Sequence, residues 1–139
     1  KQHLLQFLVD SGQTDTVFGT LFHTAFEHGG PCARSIHYPD ARTAVAAIRE
    51  AGGYAVLAHA GQQQNFELIP DLVSAGLAGL ELNHPANTAA DRALLSQAAA
   101  QYGLFCTGGS DFHGDYEAGR DTLGGFVAPA DCPLPALCL

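Results

Sequence analysis

A carboxylate and an imidazole stand two residues apart in Gly108-Gly109-Ser110-Asp111-Phe112-His113-Gly114. Hard carboxylate oxygen beside borderline imidazole nitrogen suits zinc, manganese or iron. The run before it, Leu104-Phe105-Cys106-Thr107, reads as a short buried strand, which predicts that Asp111 and His113 leave its carboxyl end on one side of an extended backbone. Alone, a D-x-H segment is more simply a loop in which Asp111 makes a turn bond and His113 meets solvent. Two upstream segments shift that balance. Ala55-Val56-Leu57-Ala58-His59 and Gly79-Leu80-Glu81-Leu82-Asn83-His84 are apolar runs of strand length that each end on a histidine.

Each run follows a helix-like stretch closed by glycine, at Ala51-Gly52-Gly53, Ala75-Gly76 and Tyr102-Gly103, where a left-handed helix cap falls. Helix, glycine, buried strand and polar loop, repeated, predict successive βα units on a parallel sheet. In such sheets and barrels, sites form at the carboxyl ends of the strands, which is where His59, His84, Asp111 and His113 stand. The first of these helices starts at Asp40 as N-cap and carries Ala44, Val45 and Ile48. Gly61 to Asn65 reads as a loop, followed by a short helix around Glu67 to Ser74 with Pro70 in its first turn. Thr88 and Asp91 form a capping-box pattern before Leu94, Leu95, Ala98 and Ala99. A last strand is expected over Gly124-Gly125-Phe126-Val127-Ala128, and a surface wrap or cut end from Pro129 to Leu139.

Residues 1–38 read as a separate helical lobe. Leu4, Leu5, Leu8 and Val9 share one helical face, and Val17, Phe18, Leu21, Phe22, Ala25 and Phe26 share a second, with Ser11-Gly12 dividing them. The α/β part then occupies 39–139. At 139 residues, with 47% hydrophobic and 14% charged residues, the chain can bury a sizeable core. No apolar run approaches the ~20 residues a membrane span needs, so a soluble cytoplasmic protein is expected. Cys32, Cys106, Cys132 and Cys138 lack C-x-x-C spacing, which argues against a zinc knuckle or a disulfide framework and makes Cys106 a small core residue. Six basic against 14 acidic residues, a formal charge of -8, leave no basic footprint for nucleic acid. The chain begins at Lys1 and contains no methionine, so it is expected to be a processed or truncated piece.

In pattern and order these residues resemble the polymerase-and-histidinol-phosphatase (PHP) family of metal-dependent phosphoesterases. Gly52 to Gly61 is similar to the family's GG-x-avlAHPG segment, with Ala60 where proline is usual, and Gly79 to Pro85 to its GlEvyHp segment. Thr107 to Gly114 is similar to the closing TgGSDfHG. Lys1-Gln2-His3 with Leu4 to Gly12 resembles the start of the helical insertion in the branch acting on nucleoside bisphosphates and 5′ ends of short nucleic acids, with Lys1 where that branch commonly has arginine. The resemblance implies a distorted (β/α)7 barrel whose strand ends hold two or three divalent ions. Its N-terminal half, carrying an H-x-H and further Asp, His and Glu ligands, would lie outside this chain.

By motif position, the resemblance makes Asp111 and His113 metal ligands. His59 would be a further ligand or the proton donor to the leaving oxygen, so all three count as catalytic. His84 would stand at the substrate rim, with a backbone-bonding loop histidine as its alternative role, and His3 would be a substrate contact. Of the arginines, Arg42, Arg49 and Arg92 fall on predicted helices as solvated residues, leaving Arg34 and Arg120 as candidates for phosphate. His23, His28 and His37 are read as surface residues. The expected activity is hydrolysis of a small phosphate ester or short oligonucleotide, with ion-bound water as nucleophile. Amide hydrolysis on the same barrel and a non-catalytic metal-binding remnant are the alternatives.

Overall fold

The computed structural model describes residues 2–27, 29–112 and 123–132. Its elements are α1 (Gln2–Asp10), a π-helical turn (Phe22–Phe26), α2 (Ala41–Glu50), β1 (Val56–Leu57), α3 (Ala60–Gln63), a 3-10 turn (Phe66–Leu68), α4 (Ile69–Ala75), β2 (Gly79–Asn83), α5 (Ala89–Tyr102) and β3 (Phe105–Gly108). The chain divides into two compact units at Tyr38/Pro39.

In the first unit, α1 forms over the predicted stretch and buries Leu5 completely. The second apolar face does not become a regular α-helix. Within it lie five π-helical residues, Phe22–Phe26, closed where the Glu27 N–H bonds to the Phe22 carbonyl at 3.2 Å. Phe18 and Phe22 stack edge to face there, with ring centroids 5.2 Å apart.

The second unit holds a three-stranded sheet in the order β1-β2-β3, with both pairings parallel. Its helices begin and end where the sequence places the signals. Asp40 caps α2 by accepting from the Arg42 and Thr43 N–H groups at 3.0 and 3.3 Å. Thr88 and Asp91 make the reciprocal capping box of α5. Gly76 at φ 109° and Gly103 at φ 66° end α4 and α5 in the left-handed region. Val45, Ala55, Ala60, Ile69, Leu72, Leu77, Leu80, Leu95, Ala99, Leu104 and Cys106 form one buried core against the sheet.

Three expectations are corrected. The first strand shrinks to Val56–Leu57, because the chain turns left-handed at His59 (φ 35°, ψ 47°), and Gly61 to Asn65 begins inside the one-turn helix α3 instead of a loop. No last strand forms over Gly124 to Ala128. Gly124 sits at φ 80° in a turn, and Pro129 has no N–H to give a ladder. This segment instead lays the Val127 carbonyl against the end of the sheet, where Asn83 Nδ2 donates to it at 2.8 Å. The wrap from Pro129 is seen only through Cys132; the rest lies outside the described residues.

Cys106 is a buried core residue, as its sequence context suggested. Its N–H donates to Cys132 Sγ at 2.8 Å, and burial followed by the neighbouring Cys132 thiol pushes its own thiol up to about 11. Cys32, Cys106 and Cys132 are all free.

Candidate functional site

Each of the three strands delivers a site residue from its carboxyl end. β1 leads into His59, β2 into His84, and β3 into Asp111. The imidazoles of His59 and His84 face each other at a tilt, with centroids 5.7 Å apart. His84 Nε2 approaches Asp111 Oδ2 at 3.5 Å. Asp111 does not continue an extended backbone; it sits at φ 47°, so its carboxylate is aimed by a left-handed turn rather than by strand alternation.

His84 lies deeper than a rim position, at 2% exposure. The Ala86 N–H donates to its Nδ1 at 3.1 Å, so Nδ1 is a lone-pair acceptor and the proton of the neutral ring belongs on Nε2, the nitrogen beside Asp111. That contact is a bond to loop backbone of the kind the alternative role for this histidine describes. Among the described residues, His84 Nε2 and His59 Nδ1 are buried with no hydrogen-bond partner. A buried polar atom left unpaired costs roughly 1–3 kcal/mol, and such atoms are explained when a ligand completes them.

Two residues that carry no role in the sequence reading hold this arrangement. Glu81, in the central strand, accepts the His59 N–H on Oε2 at 2.8 Å. Asn87 is 2% exposed. Its Oδ1 accepts from Gly61 N–H at 3.1 Å, while its Nδ2 donates to the Glu81 and Leu82 carbonyls at 3.2 and 3.0 Å. It thereby ties the start of α3 to the end of β2. Gly61 must lack a side chain here, because a Cβ would run into Asn87 Oδ1 and stand 3.0 Å from Asp91 Oδ2. The only sequence signal for either residue was Glu81's place inside the second strand motif; an isolated Asn in a loop gives none.

His3 and Arg34 are exposed residues of the first unit, and Arg34 Nη1 is already engaged by the Pro31 and Ala33 carbonyls at 3.2 and 2.8 Å. His113 and Arg120, like His28, lie outside the described residues. His23 and His37 are exposed, as expected. Arg42 is exposed and paired with Asp40 at 3.2 Å, whereas Arg92 departs from the solvated reading by donating to the Asn87 carbonyl at 2.6 Å.

In chemistry, the His59 imidazole with its unpaired buried Nδ1 and the Asp111 carboxylate suit a divalent cation, whereas His84 offers the site a donor N–H. These ligand groups do not suffice in number, since no group of three or more His, Cys, Asp or Glu among the described residues could hold an ion.

No protein-family model matches the sequence. The similarity of this chain is to hydrolases of phosphate esters. One relative is the phosphoribosyl 1,2-cyclic phosphate 1,2-diphosphodiesterase of Eggerthella lenta, 47% identical over 130 residues that cover 94% of this chain and 49% of that protein. Another is the 3′,5′-nucleoside bisphosphate phosphatase of Chromobacterium violaceum, 33% identical over 126 residues, or 87% of this chain and 44% of that protein. The chain thus spans about half the length of the curated relatives it matches.

Among solved structures, a Bifidobacterium adolescentis protein assigned as a metal-dependent phosphoesterase superposes with a TM-score of 0.80 at 31% identity, over 94% of this chain and 47% of that one. A Chromobacterium violaceum amidohydrolase, solved with bound sulfate and no metal, gives 0.66 at 29% identity over 93% and 52%.

Proposed function

We propose that this chain is the C-terminal part of a PHP-type barrel in a metal-dependent phosphoesterase, and that its substrate is a small phosphate ester of a ribose unit. The carrying observation is the meeting of His59, His84 and Asp111 from three successive strand ends, with two buried imidazole nitrogens unpaired. Both curated relatives are named for hydrolysis at a phosphorylated ribosyl or nucleoside group, which supports the substrate class. Among the described residues no further strand pairs with β1 or with β3, which supports additional strands in the longer protein that would bring the remaining ligands. No described helix is long and apolar enough to cross a membrane, and the free thiols suit the cytoplasm.

In this reading Asp111, His113 and His59 hold divalent manganese, zinc or iron. Bound ions supply charge neutralisation and an activated water at neutral pH. His84 presents its Nε2–H toward Asp111 and the substrate phosphoryl oxygens, orienting both without being a ligand through that nitrogen. In a chain of formal charge -8, few other groups could offset a phosphate. Arg120 and His3 remain proposed phosphate contacts.

The test uses the full-length protein supplied with manganese or zinc. It is expected to release phosphate from nucleoside bisphosphates or to open a ribose cyclic phosphate, and to stop on addition of a chelator. Inactivity toward monoesters, diesters and short oligonucleotides with metal demonstrably bound would instead favour amide hydrolysis or a non-catalytic role.

A further inference from the structure

We infer that Glu81 is the positioning residue of this site, setting the backbone of His59 through a carboxylate on the central strand that also lies close to Gly109 after β3. The inference deepens the phosphoesterase reading and rests on it for its catalytic consequence. The β1–β2 ladder is only two pairs long, Val56 with Gly79 and Leu57 with Leu80. Glu81 follows the last pair on the central strand. At that point β1 stops, and His59 takes a left-handed conformation that a side chain with a Cβ adopts only when its surroundings impose it. The imposed contact is visible: the His59 N–H, which the ladder no longer serves, donates to Glu81 Oε2 at 2.8 Å.

The other oxygen lies near the end of β3. A Cβ on Gly109 would stand 3.2 Å from Glu81 Oε1, so the carboxylate lies close to Gly109, two residues before Asp111. The Gly109 N–H in turn continues the β2–β3 ladder to the Asn83 carbonyl at 2.9 Å. Asn87 Nδ2 holds Glu81's own carbonyl, fixing the strand from which the side chain projects. One acidic side chain on the middle strand therefore sets His59 and lies beside Gly109, which leads to Asp111. It acts through its hydrogen bond to backbone, and the ligands themselves are other residues.

The test compares Glu81→Gln, which keeps an acceptor oxygen at the same reach without charge, Glu81→Asp, which keeps charge but is one methylene short, and Glu81→Ala, all in the full-length protein. The first readout is hydrogen exchange of the His59 amide in metal-free protein. Exchange should quicken about tenfold or more in the Ala and Asp variants and stay within about threefold of wild type in the Gln variant. The second is manganese affinity, expected to weaken about 10–100-fold in the Ala and Asp variants and to be largely restored by Gln. Turnover of the phosphate ester should follow, with kcat falling and KM little changed.

A Gln variant as defective in manganese binding as Ala, with a normally protected His59 amide, would make Glu81 a ligand or charge and overturn the inference. So would a wild-type exchange rate in the Ala variant. If Ala fails to fold, the Gln and Asp pair decides: a normal Asp variant beside an impaired Gln variant overturns it. The exchange readout needs no substrate, so a wild type that hydrolyses no phosphate ester would refute the activity while leaving the positioning result standing.

Discussion

His84 shows most directly how a side chain's role is set by which of its atoms are already committed. Its Nδ1 accepts from Ala86, so Nε2 is a donor that reaches toward Asp111. His84→Ala is expected to raise KM more than it lowers kcat, whereas a ligand residue would lose metal and kcat together; steady-state kinetics with saturating manganese checks this. Asp111→Asn keeps the shape of the side chain but removes a negative oxygen, leaving cation charge poorly compensated. Its phosphate release is expected to fall by about 100-fold or more in kcat. Robust turnover by that variant would remove Asp111 from the proposed ligands.

At the level of elements, the site depends on short connections held by polar side chains. Asn87→Ala frees the Gly61 N–H and two strand carbonyls in a buried place, and is expected to cost roughly 1–3 kcal/mol by urea denaturation. Gly61→Ala should destabilise as well, because the new Cβ displaces the same Asn87 oxygen. The helix caps add a pH dependence. The Thr88 hydroxyl, then the Thr88 N–H, hold the Asp91 carboxyl below its ordinary range, and the Arg42 guanidinium followed by the Thr43 N–H does so for Asp40. A carboxyl lowered in the fold stabilises it only while ionised. That contribution is present above the unfolded value of about 3.9 and is lost as pH falls through the lower folded value. Urea midpoints should therefore be insensitive to these caps near neutrality and fall in strong acid, less steeply in Asp91→Asn.

For the whole molecule, the expectation is stabilisation by mass action. Any ion that binds only the folded protein raises its melting temperature, by about 2.7 kcal/mol of stability when free ion exceeds its dissociation constant 100-fold. Full-length protein stripped by a chelator should melt several degrees lower than the manganese-loaded form, and readdition of metal should restore it. An unchanged melting temperature would show that the cluster at the strand ends takes no ion.

Legible in the chain were the βα rhythm, the caps at Asp40 and Thr88–Asp91, the glycine stops, the buried Cys106 and the strand-end placement of His59, His84 and Asp111. These are local properties, fixed by propensity, capping chemistry and hydrophobic period within a few residues. Three-dimensional packing settled that β1 stops at Leu57, that a single turn of helix replaces the loop after His59, and that Gly124 to Ala128 lies against the sheet without joining it. It also decided which atoms are spoken for: Glu81 on the His59 amide, Asn87 on Gly61, Ala86 on the His84 ring. Those bonds join residues on different strands and loops. Their partners are chosen by packing and by the need to satisfy buried polar groups, which no local pattern in the chain encodes.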